Sequence, residues 1–503
     1  MSSDSTATDE RITPAVGDGE LIVVSNRQPY THSYEQEDGE RTITVNRPAG
    51  GLTAGLDPVM QETDGTWIAW GDGDADREVT NENGEVRMPP EEEAYTLKRL
   101  WLTDEEVEGY YYGYSNRVLW PLCHGGTMKA EYVERYWQRY QQVNETFADA
   151  VVETADEDSL IWFQDYHFAL APQQVREAIP ESAFLTHFWH ITWPGWDIFR
   201  ACPQHKELLR GLLGNDLLGF HVERYCDNFI DCVDEALEDA FIDPDGKRVN
   251  YDGHTTVLRA FPMGIDAESI REGSESVDES FWDDFRATRG IGSDTAVVVG
   301  VDRLDYTKGI VERLDALSRL WETHPERRGE VCYVQKANES RSLIPDYQDL
   351  QTEVRESIER INDRFGTEDW QPVIYINEFI PQEDLCGLYR FSDVMLVSAV
   401  RDGMNLVAKE YVAAQVENDG VLVLSDQAGA HEELGEQALT INPYDTDAFA
   451  DTIETALSMD EGERAERMAA MREQVESHDL YAWMDSVFET TTELREKRAR
   501  DDD

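Results

Sequence analysis

The 503-residue chain is long enough for two or three domains, and 40% hydrophobic with 10% aromatic residues excludes disorder of the whole. Its 104 acidic against 44 basic residues give a net charge of −60, which excludes nucleic-acid and anionic-membrane partners, since both need a basic surface. So acidic a fold repels itself in dilute buffer, but at about 1 M salt the screening length falls to about 3 Å. The acidity therefore reads as adaptation to a salt-filled cytoplasm. The six cysteines form no CxxC pair and read as free thiols in a reducing compartment. There is no apolar run of spanning length and the N-terminus MSSDSTATDE is not signal-like, so a soluble, cytoplasmic protein is expected.

Residues 1–19 carry almost no large apolar side chains and read as a mobile tail. Leu21 to Val24 is a short buried strand ending in Ser25-Asn26-Arg27, followed by the polar excursion YEQEDGERT. Gly50-Gly51 then precedes a helix through Leu56 toward Met60. Amides in such a turn can face an anion, although a Gly-Gly pair alone reads more readily as chain reversal. GDGDAD at 71–76 has Arg77 and Asn83 where a calcium loop needs glycine and glutamate, so it reads as a solvated acidic loop behind Trp67 to Trp70. The run Tyr110 to Pro121 is too polar for core alone. A helix follows from Trp137 to Val152, then a strand Leu160 to Phe163 ending in Gln164-Asp165-Tyr166-His167. The strand Ala183 to Phe188 delivers His190, and Leu217 to His221 leads into a helix with Tyr225, Phe229 and Val233. A metal role for His187 and His190 would need further ligands at set spacing. Pro262 and Gly264 mark a hinge.

Beyond the hinge, the strand Thr295 to Val301 runs into a loop holding Arg303 and Lys308, and Ile310, Leu314, Leu317 and Trp321 mark the buried stripe of the next helix. Two cations between a strand end and a helix start suit a diphosphate, or else form surface ion pairs. Phe379 and Ile380 follow the strand Val373 to Ile376. The apolar run Val394 to Val397 is a buried parallel strand, and the turn Arg401-Asp402-Gly403-Met404 leads to Asn405 as the cap of a helix whose apolar side includes Leu406, Tyr411 and Val412. Val421 to Ser425 is another strand, and from Ser458 to Arg498 the pattern is helical and highly charged. Repeated strand and helix alternation predicts an α/β protein with two doubly wound parallel sheets facing one cleft.

RDGMNLVAKEYVAAQ at 401–415 resembles the donor-site signature of trehalose-6-phosphate synthases, retaining glycosyltransferases of family 20. VVSNR with PAGGL, the SNRVLWP segment, FQDYH and VDRLDYTKG are similar to further motifs of that family and stand in its order, so the resemblance covers about residues 20–490. It implies the GT-B type: two Rossmann-like domains, an acceptor-binding one at 20–265 and a nucleotide-sugar-binding one at 266–480, with a last helix at 481–503 returning to the first. The implied reaction is retaining glucosyl transfer from UDP-glucose to glucose 6-phosphate, giving trehalose 6-phosphate and UDP, with no protein nucleophile, metal or cofactor. The implied acceptor contacts are Arg27, Trp70, Tyr111, Trp120, Asp165 and Arg341. The implied donor contacts are Gly50, Gly51, His190, Arg303, Lys308, Phe379, Ile380, Asp402, Gly403, Met404, Asn405, Leu406, Val407 and Glu410, with His190, Asp402, Arg303 and Lys308 at the chemistry. UDP, GDP and ADP stay open as donor base, and a homo-oligomer is compatible with the sequence. Lys409 has no assigned part. Family members read HIPFP where this chain reads HITWPGW, which places Thr192, Trp193 and Trp196 near the sugar. That departure keeps glycerol 3-phosphate open as acceptor. A catalytically silent regulatory relative is disfavoured because the motif residues are retained together.

Overall fold

The computed structural model describes residues 19–37, 40–47 and 51–502, so the tail before Gly19, and Gly50, lie outside the described residues. The chain forms two compact units, one of residues up to Pro262 together with Trp483 onward, the other Met263–Ala482.

In the first unit, β1 (Leu21–Ser25), β4 (Thr66–Trp70), β6 (Tyr95–Leu100), β7 (Leu160–Gln164), β8 (Phe184–Trp189), β9 (Leu217–Phe220) and β12 (His254–Ala260) are all parallel, in the order β12-β9-β8-β7-β1-β4-β6. Antiparallel strands extend both edges: β5 (Glu85–Met88) beside β6, and β11 (Arg248–Tyr251) with β10 (Phe241–Asp243) beside β12. The excursion after Arg27 is a separate hairpin of β2 (Thr31–Glu37) and β3 (Glu40–Asn46). The last helix, Leu480–Asp502, sets Trp483 against Trp162 and Phe188, with ring centroids 5.5 and 5.1 Å apart.

The second unit holds β13 (Ala296–Arg303), β14 (Val331–Asn338), β15 (Val373–Ile376), β16 (Val394–Val397), β17 (Val421–Ser425) and β18 (Leu439–Ile441), all parallel, ordered β15-β14-β13-β16-β17-β18. Its strands read as unbroken apolar runs because both faces are covered. Side-chain alternation sorts them: Val297, Val299, Met395, Val397, Leu422 and Leu424 enter one cluster, and Val298, Val394, Leu396, Val421 and Val423 the other. Each such side chain contributes about 1.5–3 kcal/mol by leaving water.

Numbered along the chain, the parallel strands of the second unit lie in the order 3-2-1-4-5-6, which is the Rossmann order, and those of the first unit in the same order with a seventh strand added, 3-2-1-4-5-6-7. The order reverses between strands 1 and 4, so a crevice opens there at the strands' carboxyl ends. Those points fall between β1 and β7 in the first unit and between β13 and β16 in the second.

Candidate active site

At the first switch point β1 releases Arg27, β4 ends at Trp70, β7 releases Asp165 and β8 releases His190. The guanidinium of Arg27 donates to the Tyr111 hydroxyl at 3.0 Å and lies 3.3 Å from Asp72, yet its side chain stays 60% exposed. Tyr111 sits 6.1 Å from Trp70 and stacks on His167 at 6.0 Å. Trp120 lies beside Tyr166, ring centroids 5.9 Å apart. Tyr111 rides on a π-type helix, Val107–Leu119, a form that is rare and often marks functional sites.

Asp165 has φ +70° and ψ 177°, a region that only glycine enters freely and that costs a side chain about 1–3 kcal/mol. The neighbouring strand fixes it there. Asp165 donates its amide to the Phe188 carbonyl at 2.7 Å, and its carboxylate accepts from the amides of Tyr166 and His190 at 2.9 and 3.3 Å. Burial, with His221, His187 and His167 nearby, holds the His190 imidazole well below its usual pKa, so it is neutral at pH 7. In the tautomer protonated at Nε2 it donates to Gln164 Oε1 at 2.9 Å, leaving Nδ1 as an acceptor.

HITWPGW departs from the sequence expectation. Thr192 and Trp193 are 0% exposed; Thr192 bonds the Cys123 carbonyl, and Trp193 packs among Trp189, Phe199, Phe220 and Phe229. The extra aromatic volume fills the core rather than lining a sugar site, and Trp196 packs on His205. GDGDAD is likewise not wholly solvated, because Asp76 is 0% exposed. It accepts from Gln28 Nε2 at 2.7 Å, from the amides of His32 and Gly73 at 2.8 and 2.7 Å, and pairs with the buried Arg99 at 3.2 Å. Asp76 thus ties the segment after β1, which carries Arg27, to the segment after β4, whose Asp72 lies 3.3 Å from Arg27.

Burial raises the Asp76 carboxyl, but its bonds to His32 and Gln28 and the charge of Arg99 outweigh that and hold it at about 2, against an ordinary 3.8. A depressed carboxylate stabilises the fold above its unfolded pKa and loses that stability as pH falls through the folded one. Asp76→Asn is expected to cost about 2 kcal/mol at pH 7, with the gap to wild type closing between about pH 4 and pH 2 in urea titrations. A gap independent of pH would refute the charged role of Asp76.

At the second switch point β13 ends at Arg303, exposed and without a partner among the described residues. The following turn, Tyr306–Lys308, ends at Gly309 with φ +64°, where a Cβ would lie 2.0 Å from the Ser398 carbonyl oxygen, so only glycine fits. Lys308 Nζ donates to Asp402 Oδ2 at 2.6 Å, and Asn405 Nδ2 donates to the same oxygen at 2.9 Å. Lys308 is therefore ion-paired, but to the donor motif itself. Asn405, at φ +80°, caps the helix Leu406–Ala414 by accepting from the Ala408 amide at 3.2 Å. The carbonyls of Asp402 and Met404 accept from the Gly429 and Ala430 amides at 3.2 and 2.7 Å, while the amides of Gly403 and Met404 have no partner among the described residues. A helix start with free N–H groups and a lysine suits an anion.

Leu406 and Val407 are half-buried at the start of that helix. Glu410, on the same helix, accepts from the Tyr389 hydroxyl at 3.1 Å, and burial pushes its carboxyl up. Phe379 is exposed, and Ile380 packs against the core below it. Gly51 opens the helix Gly51–Thr63 of the first unit. Arg341 is turned inward. Its guanidinium donates to Asp305 at 3.0 Å and to the Tyr347 hydroxyl at 2.5 Å, and Asp305 in turn accepts from the Thr307 amide, one residue before Lys308. Lys409 is buried, 2.6 Å from Glu433 and 2.9 Å from the Met263 carbonyl, which gives it a structural part.

A buried network that sequence reasoning missed lies under the second crevice. Arg313, 0% exposed, reaches Asp302 at 2.6 Å, Ser398 Oγ at 2.9 Å, Tyr333 at 3.0 Å and Gln335 at 3.1 Å. Ser398 Oγ donates to the Gly309 carbonyl at 2.8 Å, so Arg313 braces the turn that carries Lys308. The sequence signal was Gly300 inside an apolar strand, where a Cβ would come within 2.2 Å of Arg313 Nη1.

Two Rossmann-like units with cations, free amides and neutral imidazole at their switch points define a glycosyltransferase of the GT-B type. The profile of Glycosyltransferase family 20 matches residues 19–493. The chain belongs to that family. It is 38% identical over 474 residues to the bifunctional trehalose-6-phosphate synthase/phosphatase of Thermoproteus tenax, covering 92% of this chain but spanning only 62% of that protein. A solved E. coli structure bound with UDP-2-fluoro glucose is 32% identical, with a TM-score of 0.83 over 94% of this chain and 99% of that one. The alpha,alpha-trehalose-phosphate synthase (UDP-forming) of Burkholderia xenovorans, solved in complex with glucose-6-phosphate, is 33% identical, with a TM-score of 0.82 over 94% of this chain and 100% of that one.

Proposed function

We propose that the protein transfers glucose from UDP-glucose to glucose 6-phosphate with retention, giving trehalose 6-phosphate and UDP, in a salt-filled cytoplasm. The observation that carries this reading is that each unit gathers polar and charged residues at its own switch point. Arg27, Asp165 and His190 gather at one, and Arg303, Lys308 and Asp402 at the other. On this reading the first set binds the acceptor and contacts the glucose of the donor; in the second, Arg303 and Lys308 bind the nucleotide diphosphate and Asp402 orients the glucose.

The donor already carries its leaving group, so the demands are to hold two anionic substrates and to stabilise charge on the departing diphosphate. Arg303 and Lys308 supply the charge, and Lys308 keeps two N–H donors beyond the one given to Asp402. Asp402 and the amides of Gly403 and Met404 orient the glucose, and Glu410 takes the ribose hydroxyls. Retention without a protein nucleophile follows from front-face attack, the leaving phosphate accepting the acceptor's proton. Trp70, Tyr111 and Trp120 wall the acceptor site, Phe379 and Ile380 face the base, and Gly51 lies against the diphosphate. The burial of Thr192 and Trp193 weighs against glycerol 3-phosphate, which the HITWPGW departure had kept open as acceptor.

The test is UDP release from UDP-glucose in about 2 M KCl, where surface charge is screened, with glucose 6-phosphate and separately with glycerol 3-phosphate. Release with glucose 6-phosphate alone is expected; release only with glycerol 3-phosphate would overturn the acceptor, and release with neither would overturn the activity. Arg341→Ala is expected to raise the KM for glucose 6-phosphate about tenfold or more while leaving UDP affinity within about twofold, since it removes one charge-assisted contact. Equal losses for both ligands would mean that Arg341 serves only to hold Asp305.

A further inference from the structure

The first unit contains a cavity of about 930 Å³, within the range of small-molecule sites, in which sequence motifs assigned nothing. It lies at the wrong end of the sheet to belong to the switch point. Phe184 opens β8, Asp216 precedes β9 and His254 opens β12, and all three line it. These strands are parallel, and Asp165 and His190 follow the opposite, carboxyl ends. One length of β8 separates the two ends, about 17 Å at about 3.3 Å per residue.

The lining is unlike the chain as a whole. Five cations, Arg176, Arg210, Arg248, Lys497 and Arg498, face four carboxylates, where the sequence has 44 against 104. Two of these cations have structural work, since Arg176 and Arg498 both bind the buried Asp216. The other three have no carboxylate partner among the described residues. Arg210 donates only to the Tyr251 hydroxyl, at 3.1 Å; Arg248 has a buried Nε with no acceptor; Lys497 is exposed on the last helix. With Glu177, Glu181 and Asp252 also in the lining, the five cations outnumber the four carboxylates by only one. In a chain of net charge −60 even that is a local reversal of sign, and a concave site of this kind favours anions over its surroundings. Two arginines with forked donors favour a tetrahedral oxyanion over a single carboxylate.

We propose that this cavity binds a phosphate-bearing small molecule through Arg210, Arg248 and Lys497, at a site separate from both switch points. The last helix is part of it. Lys497 and Arg498 come from the segment after Trp483, so the site is complete only when that helix is docked on the first unit.

The test is calorimetric titration of inorganic phosphate, and then of a hexose monophosphate, into the full chain at about 1 M KCl, comparing wild type with Arg248→Ala/Lys497→Ala and with Arg303→Ala/Lys308→Ala. A binding component is expected that the first pair weakens at least tenfold and the second pair leaves unchanged. Tighter binding of the hexose phosphate in that component would identify a phosphorylated sugar as the ligand, and equal binding free phosphate. Lys497→Glu, a charge reversal on an exposed side chain, provides the same readout should Arg248→Ala lower the melting temperature. Phosphate binding that is the same in wild type, Arg248→Ala/Lys497→Ala and Lys497→Glu would overturn the proposal, as would its complete loss in Arg303→Ala/Lys308→Ala.

Discussion

Replacing Lys308 by alanine is expected to weaken UDP binding about ten- to hundredfold, since a hydrogen bond to a charged group is worth about 1.5–3 kcal/mol and each 1.4 kcal/mol is about a factor of ten. The loss should appear in direct calorimetric binding of UDP as well as in turnover. Lys308 is short of alternatives: its turn is fixed by Gly309 against Ser398, and its ammonium is already oriented by Asp402. Orientation before binding is what makes such a donor effective on a leaving group, because little reorganisation remains during reaction. On the proposed reading, removing it also leaves the neighbouring Asp402 carboxylate without its cation, which adds repulsion toward an anionic ligand to the lost contact. Raising KCl should narrow the difference only modestly, as both side chains are 15% exposed and so are screened less than surface charges. UDP affinity unchanged by the substitution would remove Lys308 from the diphosphate site and put the whole charge on Arg303.

The second unit was the more legible in sequence, and the reason is burial on both faces. Val373 to Ile376, Val394 to Val397 and Val421 to Ser425 stand in the structure with the ends read from their apolar runs, since a strand covered on both sides has no polar positions to blur it. Asn405 as cap was legible for a different reason: a side-chain acceptor is needed where amides lack partners. The hairpin of β2 and β3 was hidden, because it stands apart from the main sheets and its polar sequence, THSYEQE and ERTITVN, offers little apolar alternation. The helix carrying Tyr111 was hidden too, as its wide turn breaks the 3.6-residue period.

Among candidate site residues, the divide runs between groups marked by motif wording and buried groups that brace them. Arg27, Asp165, His190, Arg303, Lys308 and Asp402 carried motif wording and all lie at a switch point. Asp76, Arg99 and Arg313 carried none that was used, because a buried ion pair is made of residues distant in sequence, and a charged letter in an acidic chain reads by default as solvated surface. Asp76 and Arg99 are 23 positions apart and Asp302 and Arg313 are 11 apart, yet all four sit beneath the crevices they shape. Thr192 and Trp193 erred in the other direction: beside a site histidine they read as site walls, but the chain turns inward after His190 and the core takes them.

Arg313→Ala is expected to destabilise the protein by about 3–5 kcal/mol, the cost of leaving a buried carboxylate without its partner. Asp302 would lose the guanidinium 2.6 Å away, and Ser398, Tyr333 and Gln335 would lose a shared donor. The expected readout is a fall in the denaturation midpoint with little change in slope. Stability alone would not separate a brace for the Lys308 turn from a generic core residue, so a milder change is needed. Gly300→Ala leaves every charge in place but puts a methyl group 2.2 Å from Arg313 Nη1 and 2.3 Å from the Tyr333 hydroxyl, so the guanidinium has to shift. Overpacking of this kind costs about 1–3 kcal/mol, and the chain should remain folded at moderate temperature. If Arg313 sets the turn through Ser398 and Gly309, the folded variant should bind UDP several-fold more weakly while acceptor KM is little changed. UDP affinity equal to wild type in folded Gly300→Ala would confine Arg313 to stability, and the position of Lys308 would then rest on Asp402 and Gly309 alone.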